Sequence, residues 1–94
     1  MFFTYVLYDL HKKNFYTGYT SNLKKRIKDH LLKKVFSTKY KQELKLIYFE
    51  GCVNKIDALR REQYLKSGVG KRYLRSRLRF WFKEINGPGP EKTF

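Results

Sequence analysis

A carboxylate stands where an apolar side chain is expected. The segment from Asp57 to Lys66 reads as an amphipathic helix whose stripe runs through Ala58, Leu59 and Leu65. Glu62 falls four residues after Ala58 and three from each leucine, so it shares their face. A partly buried carboxylate is costly unless it is paired, hydrogen-bonded or bound to a cation. The chain has 8 acidic residues against 22 basic ones. An inward acid in so basic a protein points to a metal ligand facing a phosphate. The plainer reading is an ion pair with a neighbouring arginine.

Two more groups share one side of an earlier helix. Arg26 and His30 are four residues apart and so stack along it. Arg26 offers a planar fork that suits a phosphate. His30 carries the side chain whose ordinary pKa lies nearest neutrality. The competing readings are a solvated surface arginine and a helix-face histidine bonded to a backbone carbonyl.

The elements that must position these groups follow from pattern. Residues 2–8 are aromatic and β-branched, hence a strand; 9–14 are turn-like, and 15–20 return as a second strand of a hairpin. Gly18 inside that strand implies a bulge or the close approach of another backbone. Thr20 or Ser21 can cap a helix running to about Lys33, with Leu23, Ile27, His30 and Leu31 at helical spacing. A basic loop spans 33–42. A third strand, 44–49, ends at Gly51. Asn54 caps the Glu62 helix, and the run from Ser67 to Gly70 breaks it. A last helix starts near Lys71, its core stripe made by Leu74, Leu78, Trp81 and Phe82, with Arg72, Arg75 and Arg79 on another face. The expected fold is α/β in the α+β sense, ordered β-β-α-β-α-α. It has a small three-stranded, mostly antiparallel sheet flanked by helices. Residues 1–83 are expected to form the domain and 84–94 a flexible C-terminal tail.

At 94 residues there is room for one modest core, and an aromatic content of 18% can fill it. The formal charge is +14, with 11 basic residues before Gly51 and 11 after it. The charge therefore belongs to the domain and not to a detachable tail, and it favours a polyanion, DNA or RNA. No apolar run approaches the length of a membrane span, so no membrane partner is expected. The single Cys52 cannot close an internal disulfide and reads as a small buried hydrophobe. A lone thiol without a signal-peptide pattern fits a cytoplasmic protein.

Tyr5-Val6 on the first strand, Tyr16-Thr17-Gly18 on the second, Arg26 and His30 on the next helix, and the run from Ala58 to Glu62 resemble, in order and spacing, the GIY-YIG nuclease domain. Tyr19 to Leu23, Ser37 to Tyr40 and Tyr64 to Gly68 resemble its small stand-alone members. These are related to the N-terminal domain of the excision-repair incision subunit and to structure-specific nucleases. The resemblance covers roughly residues 2–82. The leading glycine of the first tripeptide is replaced by Thr4, and Thr17 stands where the second has isoleucine.

The resemblance implies a DNA endonuclease dependent on Mg²⁺ or Mn²⁺, working on branched or nicked DNA in repair or recombination, with a protein partner. Phosphodiester hydrolysis needs an activated water, neutralised phosphoryl oxygens and a stabilised leaving oxygen. On the same resemblance Glu62 is the metal ligand, Arg26 the phosphate clamp and Tyr5 the base or water-orienter, with Tyr16 and His30 its partners. Tyr5 and Tyr16 are expected to face each other across the hairpin. Gly18 lets a phosphate approach the sheet, and Tyr19, Lys39, Arg72 and Arg75 contact nucleic acid. Three rivals stand beside this reading: a non-catalytic DNA- or RNA-binding module of the same fold, an RNA-binding accessory, and a partner-dependent subunit, since so small a domain has little surface left for sequence readout.

Overall fold

A computed structural model describes residues 1–31 and 44–86. They form three strands and four helices in the order β1 (Phe2–Asp9), β2 (Asn14–Thr20), α1 (Leu23–Leu31), β3 (Leu44–Cys52), α2 (Lys55–Lys66), α3 (Gly68–Arg77) and α4 (Arg79–Asn86). The expected α+β class and antiparallel sheet are present. The basic loop, including Lys39, and the tail beyond Asn86 lie outside the described residues. The chain divides into two compact units, Met1–Gln63 and the part from Tyr64 onward.

In the first unit the sheet order is β2-β1-β3, antiparallel throughout. The hairpin is tied by its own turn. Asp9 Oδ1 accepts from the backbone N–H groups of His11 and Lys12, both at 2.9 Å, and Lys13 takes a left-handed φ of 60°. Being central, β1 is buried on both faces from Thr4 to Asp9. Thr4 Oγ1 donates to the Ala58 carbonyl at 2.9 Å, and Arg61 Nε donates to both Glu50 oxygens at 3.0 Å. These bonds hold α2 against β1 and β3. A bulge between Val6 and Leu7 shifts the β3 register, so that Tyr5 lies opposite Phe49 but Leu7 opposite Leu46.

Helix starts follow side-chain chemistry. Asn54 caps α2 as expected, its Oδ1 accepting from Ile56 N at 2.8 Å. The α1 cap differs from expectation. Asn22 Oδ1 accepts from Lys25 N at 3.1 Å, while the Thr20 hydroxyl accepts from Asn22 N at 3.0 Å and so braces the capping residue.

In the second unit, the run read as a break is a helix start. Ser67 is the N-cap of α3, its hydroxyl accepting from Gly70 N at 3.1 Å. Helix α3 thus begins at Gly68, and the last helical stretch divides at Leu78 into two. Leu74 and Phe82 are buried, while Leu78 and Trp81 are half-buried. Gly70 is there for close approach. A Cβ on it would collide with the Tyr64 carbonyl oxygen and lie 2.5 Å from Leu65 Cα. Backbone cannot yield as a side chain can. Gly70→Ala is therefore expected to destabilise the protein by about 3 kcal/mol, read as a lower urea midpoint. An unchanged midpoint would contradict this packing.

Candidate active site

The sheet register builds the site. Tyr5 lies opposite Gly18, and Tyr16 lies opposite Leu7. The two tyrosines share a face but sit two positions apart, so they are diagonal neighbours and not the expected directly opposed pair. Gly18 leaves space for the Tyr5 ring. A Cβ at 18 would meet the Tyr5 hydroxyl, with Cζ at 2.5 Å and Cε2 at 2.9 Å. The β1·β2 register runs unshifted from Phe3 to Asp9, and what closes on Gly18 is a phenol and not a second backbone. Tyr19 pairs with Thr4 and stacks on Phe2, which places it on the opposite face of the sheet from Tyr5.

Helix α1 brings two groups to the Tyr5 phenol. His30 Nε2 lies 3.3 Å from Tyr5 Oη. The Arg26 charge acts on the same phenol. Among the described residues His30 Nδ1 is buried without a hydrogen-bond partner. A buried N–H lacking an acceptor costs more than a buried lone pair, which places the neutral ring's proton on Nε2. His30 then donates to Tyr5 Oη. Among the described residues no backbone carbonyl accepts from His30, which leaves the competing reading without support there.

Burial raises the Tyr5 pKa above its ordinary value; the Arg26 charge opposes this and the Glu62 charge adds to it. Glu62 thus lies within electrostatic reach of the phenol. It is half-buried, as the helical pattern of α2 required. The arginine beside it, Arg61, also pairs with Glu50 at 3.0 Å. Arg26 itself is exposed and lines a shallow concavity of about 150 Å³ with Thr20, Asn22, Lys25 and Asp29. Lys25 and Asp29 are joined there at 3.1 Å.

Burial lowers the His30 pKa, the Arg26 charge lowers it further, and Asp29 partly restores it. The unfolded chain therefore takes up a proton at this position before the folded one as pH falls through about 6.5. Stability from this group is whole above that pH and is lost as pH drops toward the lower folded value. The thermal midpoint without divalent ions is expected to fall between about pH 7.5 and about pH 5.5, and His30→Gln to flatten that fall. Identical profiles for the two proteins would contradict the burial of His30.

One neighbour was not singled out from sequence. Phe49 is opposite Tyr5 across β1, 52% exposed, and edge-on to Phe3 at 6.3 Å. The β3 bulge hid it, because both Leu46 and Phe49 face the Tyr5 side despite their odd separation. Arg72 and Arg75 are exposed on α3 in the second unit, where Arg75 lies 5.3 Å from the Phe82 ring centroid. Arg79 begins α4, so it does not continue their row. The missing leading glycine of the first tripeptide also has an account: Thr4 there is 1% exposed and spends its hydroxyl on α2.

A phenol, a guanidinium, an imidazole and a carboxylate gathered from β1, α1 and α2 define a class. The family model described as the GIY-YIG catalytic domain matches residues 1–84, and the chain belongs to that nuclease family. It is also similar to the UPF0213 protein CPE1444 of Clostridium perfringens (strain 13 / Type A), with 44% identity over 57 residues. That stretch covers 57% of this chain and 59% of the relative, so less than two thirds of the relative's length is spanned. No solved structure gives a significant match.

Proposed function

We propose that this chain is a DNA endonuclease that hydrolyses a phosphodiester bond at Tyr5, Arg26, His30 and Glu62. The observation that supports this is Tyr5 Oη lying 3.3 Å from His30 Nε2 with the charges of Arg26 and Glu62 acting on the phenol.

The donor set fits one kind of metal. Among the described residues no three of His, Cys, Asp and Glu gather into a cage, as zinc requires. One half-buried carboxylate suits Mg²⁺ or Mn²⁺, which keeps most of its waters and takes further oxygens from a phosphate. Glu62 would hold that ion, which supplies a Lewis acid for the phosphoryl and leaving oxygens when bound.

The protein's own groups do the rest. Exposed Arg26 grips the non-bridging oxygens, and its fork matches the charge that develops on them in the transition state. Tyr5 Oη orients the attacking water and, when ionised, takes its proton. The Arg26 charge opposes the upward shift that burial gives this phenol. The new bond is water oxygen to phosphorus; the bond that breaks is phosphorus to the leaving sugar oxygen, which departs with a proton from solvent. Tyr16, two positions along the same face, borders the substrate side. Within the first unit the concavity beside Arg26 offers Lys25 to a neighbouring phosphate. Branched or nicked DNA, repair, a protein partner and the cytoplasm remain parts of this proposal. Among the described residues no helix is long and apolar enough to cross a membrane.

The test is a panel of single-stranded, nicked, flapped and branched DNA incubated with Mg²⁺, Mn²⁺ or chelator. Metal-dependent cutting of at least one member is the expected result. Binding to the panel without any cutting would favour the non-catalytic module instead.

A further inference from the structure

The second unit has a site of its own. Where α3 gives way to α4, Tyr73, Ser76, Arg77, Arg79 and Phe80 line a concavity of about 440 Å³. Phe80 is 61% exposed, more than any other described aromatic residue. A single exposed ring is ordinary on a protein surface. Its setting is not. The Arg79 guanidinium carbon lies 5.1 Å from the Phe80 centroid, and Lys83 Nζ lies 5.8 Å from it. Arg77 and Ser76 line the same concavity.

A largely exposed aromatic ring, guanidiniums able to lie against a base or fork onto a phosphate, and a hydroxyl are the groups that recognise an unpaired nucleotide. Paired DNA keeps its base faces stacked inside the helix and offers this surface mainly its phosphates. The volume suits one nucleotide, and the formal charge of +14 complements a strand. We propose that this concavity holds one unpaired nucleotide of a DNA strand, its base on Phe80 and its phosphate against Arg77 and Arg79. Lys83, the more distant cation, yields the ring face and turns to the next phosphate. The choice of DNA rests on the nuclease reading; the stacking site rests on its own geometry. The site would favour DNA with a single-stranded stretch, which every flap or unwound branch supplies.

Binding in chelator, where no cutting occurs, tests this. The probes are a fluorescent DNA single strand and the same strand annealed to its complement. Phe80→Leu keeps an apolar residue and the helix but removes the π-face; Phe80→Trp keeps the face. Circular dichroism on the same samples confirms that each variant is folded. Phe80→Leu is expected to weaken single-strand binding about tenfold, at least about three times the loss seen on duplex. Phe80→Trp should stay within about twofold of wild type. Equal loss on both probes, or no loss on the single strand, overturns the stacking site. Tighter binding of RNA than of DNA of the same sequence overturns the choice of DNA. If wild type cuts DNA while Phe80→Leu binds normally, this inference falls and the nuclease reading stands. Selective loss of single-strand binding in a protein that never cuts leaves the stacking site standing alone.

Discussion

Glu62→Gln is expected to slow Mg²⁺-dependent DNA cleavage about a thousandfold under single-turnover conditions, and to leave affinity for uncut DNA equal or higher. The two effects have opposite signs for one reason. Glutamine keeps the size and helix propensity of glutamate, so α2 and its bonds to β1 and β3 persist. What goes is the negative charge beside the Tyr5 phenol. On the proposed mechanism a divalent ion would lose its protein anchor, and charge on the phosphoryl oxygens would no longer be offset in the transition state. The thousandfold loss corresponds to about 4 kcal/mol, within the range for removing one preorganised electrostatic partner. Ground-state DNA, by contrast, loses a repulsion. A variant that cuts as fast as wild type would remove Glu62 from the chemistry. One that fails to bind DNA would show that Glu62 matters to structure instead.

Gly18→Ala is expected to lower the thermal midpoint by about 10 °C and the cleavage rate about a hundredfold. An alanine Cβ would stand 2.5 Å from Tyr5 Cζ, so the ring must leave its place or the β1·β2 pairing must open. The ring is held at 3.3 Å by His30, so either route disturbs the phenol's geometry. A misplacement of about 1 Å is enough for a rate loss of that size. The cause is separable by a double-mutant cycle. Tyr5→Ala removes the colliding ring, so Gly18→Ala should cost much less stability in that background than in wild type. Additive effects of the two substitutions would contradict the contact, as would an unchanged midpoint for Gly18→Ala alone.

Sequence pattern shows some of this arrangement and hides the rest. Glu62 was legible because helical spacing fixes which face a residue shares with Ala58, and that holds whatever the helix packs against. Arg26 and His30 were paired by the same spacing. Cross-strand register is another matter. Nothing local says that Tyr5 faces Gly18 and not Tyr16, because register depends on the Asp9 to Asn14 turn and on side chains of both strands. The bulge near Val6 likewise depends on a partner distant in sequence, and it concealed Phe49. Glycines misled in both units for a shared reason. At Gly18 and Gly70 the missing Cβ makes way for a neighbour, yet from sequence the first reads as a bulge or the approach of another backbone and the second as part of a break. Ser67 was the better signal at the second of these, since a serine three residues before Gly70 N can cap a helix. The division at Leu78 left no mark on the apolar stripe, which continues across it. The phenol's surroundings were least legible, since eight tyrosines are present and only the tertiary fold sets one against Arg26 and His30.

The most direct measurement is paramagnetic broadening by Mn²⁺ of assigned side-chain NMR signals, titrated into the whole chain. At low Mn²⁺ the signals of Tyr5, His30 and Arg26 should broaden first and together, and Glu62→Gln should abolish this. Broadening that begins elsewhere, or that persists in Glu62→Gln, would contradict a single hydrolytic centre anchored by that carboxylate.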